Sequence, residues 1–215
     1  MKALLIFIKN PIEGKVKTRL AQTIGNTKAL SVYLELLNIT REAVLSLPFT
    51  KILFYSDYID QHDDWDNTIF DKQLQQGNNL GQRMAQAFQY AFSLPHIQQV
   101  SIIGSDCPAI SPWHITKAFY ALDTHDFVIG PANDGGYYQL GMKRFSATIF
   151  ENKTWSSSVL IQETIDTIRD LRKSYYLLPP LNDVDTFQDC SDTFLQYLLQ
   201  KKILTKQDIT NAKSQ

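Results

Sequence analysis

Ala3-Leu4-Leu5-Ile6-Phe7-Ile8-Lys9-Asn10-Pro11 is the stretch on which the reading of the fold turns. Its unbroken apolar run, ended by Asn10-Pro11, fits a strand buried on both faces, the habit of a parallel sheet. Runs of the same kind recur at Lys51 to Tyr55, Val100 to Gly104 and Phe127 to Gly130, with Tyr137 to Met142 and a short Tyr175 to Leu178 after them. Between them the apolar period lengthens to that of a helix. Leu30, Tyr33, Leu34, Leu37, Val44 and Leu47 share one face, as do Leu80, Met84, Ala87, Phe88 and Ala91. Pro112 to Leu122 reads as a helix with Ser111 as its N-cap and Pro112 at its first position. Val159 to Leu171 and the tail from Thr193 complete the helical stretches, and Asp60 to Asn67 reads as an acidic surface loop. Strands alternating with helices imply βαβ units. The expectation is a single α/β domain over residues 1–215, a mainly parallel doubly wound sheet flanked by helices.

Composition narrows the function. The chain has 215 residues, 44% hydrophobic and 20% charged, enough for one substantial core. A formal net charge of −1 gives no general attraction to nucleic acid or anionic membrane, so phosphate binding must come from a local basic cluster. Cys107 and Cys190 lack a Cys-x-x-Cys partner and read as free thiols of a reducing compartment. The opening apolar run is too short for a secretory signal or a membrane span and leads into Lys9, Glu13 and Lys15. A cytoplasmic protein without membrane insertion is expected.

In doubly wound sheets ligands collect at the carboxyl ends of the strands. That rule singles out Asn10 to Arg19, Ser105-Asp106 and Asn133-Asp134-Gly135-Gly136. Lys9, Gly14, Lys17 and Arg19 make a glycine-containing cationic loop. Backbone amides of such a loop can face phosphate oxygens, Lys17 offers a point charge and Arg19 a planar fork. Neither the Walker A spacing nor Gly-x-Gly-x-x-Gly is present. Asp106, one residue beyond the glycine-ended strand, is a hard oxygen ligand suited to Mg²⁺, and Asp183 and Asp185 can close on it from after Pro179-Pro180. Local alternatives are a turn cap for Asp106 or Asp183 and a hairpin turn for Asp134-Gly135-Gly136. On the functional reading, those small residues let an acceptor approach the backbone. Tyr137 and Tyr138 alternate faces on a strand, so one of them faces the pocket. Trp155-Ser156-Ser157-Ser158 can cap the following helix. The scattered histidines support no zinc site, and no Gly-x-Ser-x-Gly elbow is present.

The pattern Phe7-x-Lys9-x-Pro11-x-x-Gly14-x-x-Lys17-Thr18-Arg19-Leu20 resembles the opening of a bacterial family described as glycosyltransferases. That family is similar to 2-phospholactate guanylyltransferase and, more remotely, to molybdenum cofactor guanylyltransferase. The resemblance continues through Gly77-x-x-Leu80-Gly81-x-Arg83-Met84, Gly104-Ser105-Asp106-Cys107-Pro108, Asp134-Gly135-Gly136-Tyr137, Trp155-Ser156-Ser157 and Asp183-Val184-Asp185-Thr186. It implies the nucleotide-diphospho-sugar transferase fold, also called GT-A. It also implies Mg²⁺ (or Mn²⁺) held by Asp106 and Asp185 with Asp183, and a nucleotide bound by Lys9, Pro11, Gly14, Lys17, Thr18, Arg19, Gly81, Arg83 and Ser105. Lys17, Arg19 and Asp106 would be catalytic; Asp134, Gly135, Gly136 and Tyr137 would meet the acceptor. Sugar-transferring members often carry Asp-x-Asp where this chain has Asp106-Cys107-Pro108. The leading expectation is therefore nucleotidyl transfer from a nucleoside triphosphate to a small phosphorylated acceptor. Glycosyl transfer from a nucleotide sugar comes second and a non-catalytic nucleotide sensor third. An exposed sheet edge leaves room for pairing with a second copy as a homodimer.

Overall fold

In the computed structural model, which describes residues 1–214, the opening run forms the central strand β1 (Lys2–Ile8). Leu4, Ile6 and Ile8 point to one face of the sheet and Ala3, Leu5 and Phe7 to the other, as the strand period requires. Helix α1 (Thr18–Ile24) and helix α2 (Asn26–Leu45) then lead to β2 (Thr50–Tyr55) and β3 (Phe70–Leu74). The chain continues through α3 (Leu80–Ser93), β4 (Gln99–Ile103), α4 (Pro112–Thr124), β5 (Phe127–Pro131) and β6 (Tyr137–Met142). A 3₁₀ turn at Ala147–Phe150, α5 (Leu160–Asp170), β7 (Tyr175–Leu177), α6 (Asp192–Gln200) and α7 (Lys206–Lys213) finish it.

All seven strands join one sheet in the order β3-β2-β1-β4-β6-β5-β7. β1 pairs in parallel with β2 and β4, β2 with β3, and β5 with β7. β6 alone runs against its neighbours. The reason is local: the segment from Pro131 to Tyr137 is far too short for the crossover that parallel neighbours need, so the chain reverses as a hairpin. β6 therefore begins at the edge where the parallel strands end.

Each face carries its own core. Tyr33 and Leu37 of α2 and Ile115, Phe119 and Leu122 of α4 cover one; Met84 and Phe88 of α3 and Ile165 and Ile168 of α5 cover the other. A third cluster joins α2 to the C-terminal helices, with Leu20, Val32 and Leu36 against Val184, Phe194, Leu195 and Leu198. It anchors the segment that carries Asp183 and Asp185.

Two elements depart from the sequence reading. β3 was not anticipated, because Phe70-Asp71-Lys72-Gln73-Leu74 is an edge strand with only Phe70 buried, so it has no apolar alternation to read. Lys72 on it bonds Asp60 O and Asp63 Oδ1, both at 2.8 Å, and fastens the acidic loop down, while Trp65 of that loop is buried edge-on against Phe70. The basic loop read as far as Arg19 ends earlier, since α1 already begins at Thr18, with no side chain capping its start. Among the described residues no helix is long and apolar enough to cross a membrane. Truncating Leu198, fully buried in the third cluster, removes packing between α6 and α2. Leu198→Ala is expected to cost about 2–5 kcal/mol in a urea unfolding titration, and a cost near zero would mean that the C-terminal helices do not hold this region.

Candidate active site

Because β1, β2, β4 and β5 run in parallel, their carboxyl ends open on one edge. A cleft of about 460 Å³ lies there, with Lys9, Arg19, Ser105, Asp106, Asp134 and Asp183 on its walls. Its organising contact is Lys17. This residue adopts a left-handed conformation (φ 48°, ψ 43°) at the start of α1, a backbone cost of roughly 1–3 kcal/mol that its surroundings must offset. The side chain is only 7% exposed. Its ammonium forms an ion pair with Asp106 Oδ1, donates to Val184 O at 2.7 Å, and lies 5.9 Å from the centre of the Tyr33 ring. Val184 N in turn donates to Asp106 O at 2.9 Å. A buried charge is tolerated only when paired and hydrogen-bonded, so these contacts hold the loop after β1, the end of β4 and the segment after β7 in one register.

Tyr33 extends the same network. Its hydroxyl accepts from Lys9 N at 2.8 Å, donates to Lys9 O at 3.0 Å and lies 3.4 Å from Ser105 Oγ. Burial, with the charge of Asp106, pushes its phenol well above the usual range and keeps it protonated. On the outer lip, Arg19 Nη1 meets Asp185 Oδ2 at 2.8 Å, but the two side chains are 72% and 49% exposed. Such a pair contributes little and opens readily. Asp185 is set by its backbone: Asp189 Oδ2 accepts from Asp185 N at 3.1 Å and from Thr186 N at 2.6 Å.

Three cations, Lys9, Lys17 and Arg19, thus stand with four carboxylates at the site. Asp106 and Asp185 are paired; Asp134 and Asp183 have no salt-bridge partner among the described residues. Burial, followed by the charges of Asp134 and Asp106, pushes the Asp183 carboxyl up to about 6. Among the described residues no three acidic, histidine or cysteine side chains stand close enough to form a finished metal cage. The donor set nonetheless fits Mg²⁺ or Mn²⁺. These are hard cations that take one or two carboxylates and complete their shell with water and phosphate oxygens, and one would relieve the repulsion felt at Asp183.

The other expected residues take varied places. Pro11, Gly14 and Thr18 shape the loop without lining the cleft; Gly14 turns it at φ 75°. Gly81 sits inside the first turn of α3, where a Cβ would stand 2.4 Å from the Trp155 ring, so its smallness serves that packing. Arg83 Nε donates to Gly77 O at 3.1 Å, and Nη1 reaches Gln75 Oε1 at 3.5 Å, so it borders the cleft through Gln75. At Gly135 (φ 91°) a Cβ would stand 2.2 Å from Ser158 O, and Gly135 O accepts from Ile161 N at 2.9 Å. What approaches this glycine is the chain's own backbone, not an acceptor. Gly136 and Tyr137 do reach the cleft.

Two further expectations need correction. Tyr137 and Tyr138 do pack on opposite faces of the sheet, Tyr137 with Met84 and Tyr138 with the α2–α4 core, yet both line the cleft, because the cleft lies across the strand ends and takes in residues of both faces. The serines after Trp155 do not cap α5: its N-cap is Val159, and Ser157 Oγ donates to Thr154 O at 2.6 Å. Residues that sequence reasoning missed are Tyr33 and Gln75; Trp155, singled out there with the serines that follow it, lines the cleft. Tyr33 carried a signal as the one polar-tipped member of the α2 apolar stripe; Gln75, whose amide donates to Ile8 O and Phe54 O, carried none.

The sheet order, with its single reversed strand and a carboxylate-lined cleft at the strand ends, is that of the nucleotide-diphospho-sugar transferase fold. The chain belongs to the family described as "Uncharacterized protein conserved in bacteria (DUF2064)", whose model matches residues 40–157. A crystal structure from Desulfovibrio desulfuricans G20, named provisionally as a nucleotide-diphospho-sugar transferase, is 29% identical. It superposes with a TM-score of 0.80 over 94% of this chain and 96% of that one. At 12–13% identity the fold alone is shared with two others. One is 4-diphosphocytidyl-2C-methyl-D-erythritol synthase of Anaerococcus prevotii DSM 20548 (TM-score 0.57, 93% and 96% covered). The other is the inositol-1-phosphate CTP transferase of T. maritima (0.52, 94% and 96%). No curated protein matches in sequence.

Asp183 supplies a pH prediction. Its folded pKa of about 6 lies above its ordinary value of 3.8, so the folded state binds the proton more tightly. The penalty for its charge is absent below about pH 4 and complete above about pH 7. Asp183→Asn is therefore expected to melt about 2–4 °C above the wild type at pH 8, with the gap closing as pH falls to 4. A gap that does not change with pH contradicts the assignment.

Proposed function

We propose that the chain is a metal-assisted transferase that moves a nucleotidyl group from a nucleoside triphosphate to a small acceptor. The observation that carries this reading is the pairing of Asp106 and Asp185, at the strand-end cleft, with Lys17 and Arg19 of the loop after β1. Bound Mg²⁺ or Mn²⁺, with Asp106 and Asp185 as carboxylates and Asp183 beside them, would supply charge neutralisation for the triphosphate.

The protein's own groups divide the remaining work. Lys17 is committed to Asp106 and Val184 O, so it holds the carboxylate in place instead of gripping phosphate as the sequence reading had it. Arg19 and Lys9 are the exposed cations on the cleft wall and are free to meet phosphate oxygens. Arg19 leaves a solvent-exposed pair at small cost and offers two N–H groups where negative charge gathers on the departing pyrophosphate. Transfer of this kind rests on positioning and electrostatics and needs no protein nucleophile. Glycosyl transfer from a nucleotide sugar is the second reading, favoured by the name of the 29%-identical Desulfovibrio protein. Pyrophosphate release marks the first reaction and free nucleoside diphosphate the second.

The test is thermal stability with each nucleoside triphosphate and nucleotide sugar, with and without Mg²⁺ or Mn²⁺. One triphosphate is expected to raise the melting temperature only when metal is present, by about 5–10 °C at a hundred times its dissociation constant. Asp106→Asn should remove the metal dependence and slow turnover about a hundredfold. A metal-independent shift, or one that survives Asp106→Asn unchanged, contradicts the proposal; binding without product from any acceptor points to a nucleotide sensor.

A further inference from the structure

The wall opposite the basic loop determines which acceptor the cleft can hold. That wall consists of the β5–β6 turn, the loop carrying Trp155, the start of α5 and the segment after β7. The charged side chains it presents to the cleft are Asp134, Asp183 and Asp185, all acidic. Both cations lining the cleft, Lys9 and Arg19, come from the loop after β1, and Arg19 touches this wall only at its outer lip, through Asp185. Two cations near this wall in sequence are engaged elsewhere: Lys153 Nζ donates to Thr167 Oγ1 at 2.6 Å, and Lys143 Nζ donates to Asp123 O at 3.1 Å. Nor is the start of α5 open to an anion, since Leu160 N and Ile161 N already donate to Ser157 O and Gly135 O. What the wall does offer is aromatic surface from Tyr137 and Trp155 and the hydroxyl of Ser156, beside the fixed carboxylate of Asp134, whose Oδ1 accepts from Gly136 N at 2.8 Å.

A phosphate monoester needs a cation or a set of open amides; with Asp185 and Asp183 taken up by the metal that serves the donor, this wall still offers neither and keeps the Asp134 carboxylate, which would repel it. An alcohol or amine with an apolar face suits it: carboxylates accept from O–H and N–H⁺, and aromatic rings cover C–H surface. We propose that the acceptor is an uncharged or cationic alcohol or amine and not a phosphorylated compound, which departs from the expectation drawn from sequence. The inference rests on the transferase reading above. In the step it implies, the acceptor oxygen or nitrogen bonds to the α-phosphorus and the bridging P–O bond breaks. Pyrophosphate leaves with the electron pair, and the acceptor's proton is released to water.

Titration calorimetry with glucose 1-phosphate and glycerol 3-phosphate tests it. The full chain is first saturated with Mg²⁺ and with the nucleotide that gives the metal-dependent shift, or with Mg²⁺ alone if none does. The wild type is expected to show no saturable binding at about 10 mM, near the weak end of measurable affinity. Ser156→Arg, which places a cation on the wall at an exposed position, is expected to bind at least about tenfold more tightly than the size control Ser156→Gln. Submillimolar binding to the wild type overturns the proposal, and so does an arginine variant that gains nothing. The nucleotide shift is read before the phosphate esters are added, so failure of the donor reading and failure of this one are separate results.

Discussion

A buried ammonium holds this site together. Lys17 comes from the loop after β1, Asp106 from the end of β4 and Val184 from the segment after β7, so its two contacts span 89 and 167 residues of chain. Left unpaired, a charge this deep would cost several kcal/mol. The same requirement holds the Asp106 side chain at the cleft and ties the Asp183–Asp185 segment to it. The left-handed turn at Lys17 is the strain accepted for aiming the side chain inward, and the following helix starts without a side-chain cap.

The opposite wall obeys a steric constraint. Because β6 enters the sheet as a hairpin partner, the turn before it stands at the mouth of the cleft and must pack against the start of α5. Only a residue without a Cβ fits at Gly135 beneath Ser158, and only such a residue at Gly81 accepts the Trp155 ring. These contacts bring the Trp155 loop over the cleft. The acidic and aromatic character of that wall, and so its preference among acceptors, follows from how the backbone is packed.

Much of the fold was legible because burial on both faces leaves a plain signature: β1, β2, β4 and β5 are apolar runs with sharp ends. β3 was not, since an edge strand carries Asp71, Lys72 and Gln73 on exposed or half-exposed positions. In the site, Asp106, Asp134, Asp183, Asp185 and Arg19 were readable as polar residues at strand ends, and the structure gathers them on one cleft. The division of labour among them was hidden. No spacing says that Lys17 points inward while Lys9 stays exposed, because that depends on a single left-handed residue. Gly81 and Gly135 read as ligand-facing for the same reason: a glycine marks a close approach without saying which atoms approach.

The central claim is that the carboxylates at the strand ends, held ready by cations of the β1 loop, form a metal–nucleotide site. Crystals grown with Mn²⁺ and the stabilising nucleotide would test it through the anomalous signal of the metal. The account predicts one peak within bonding distance of Asp106 and Asp185 carboxylate oxygens, with the nucleotide phosphates against it and Arg19 drawn off Asp185. A nucleotide bound elsewhere, or a manganese peak away from Asp106, would contradict it.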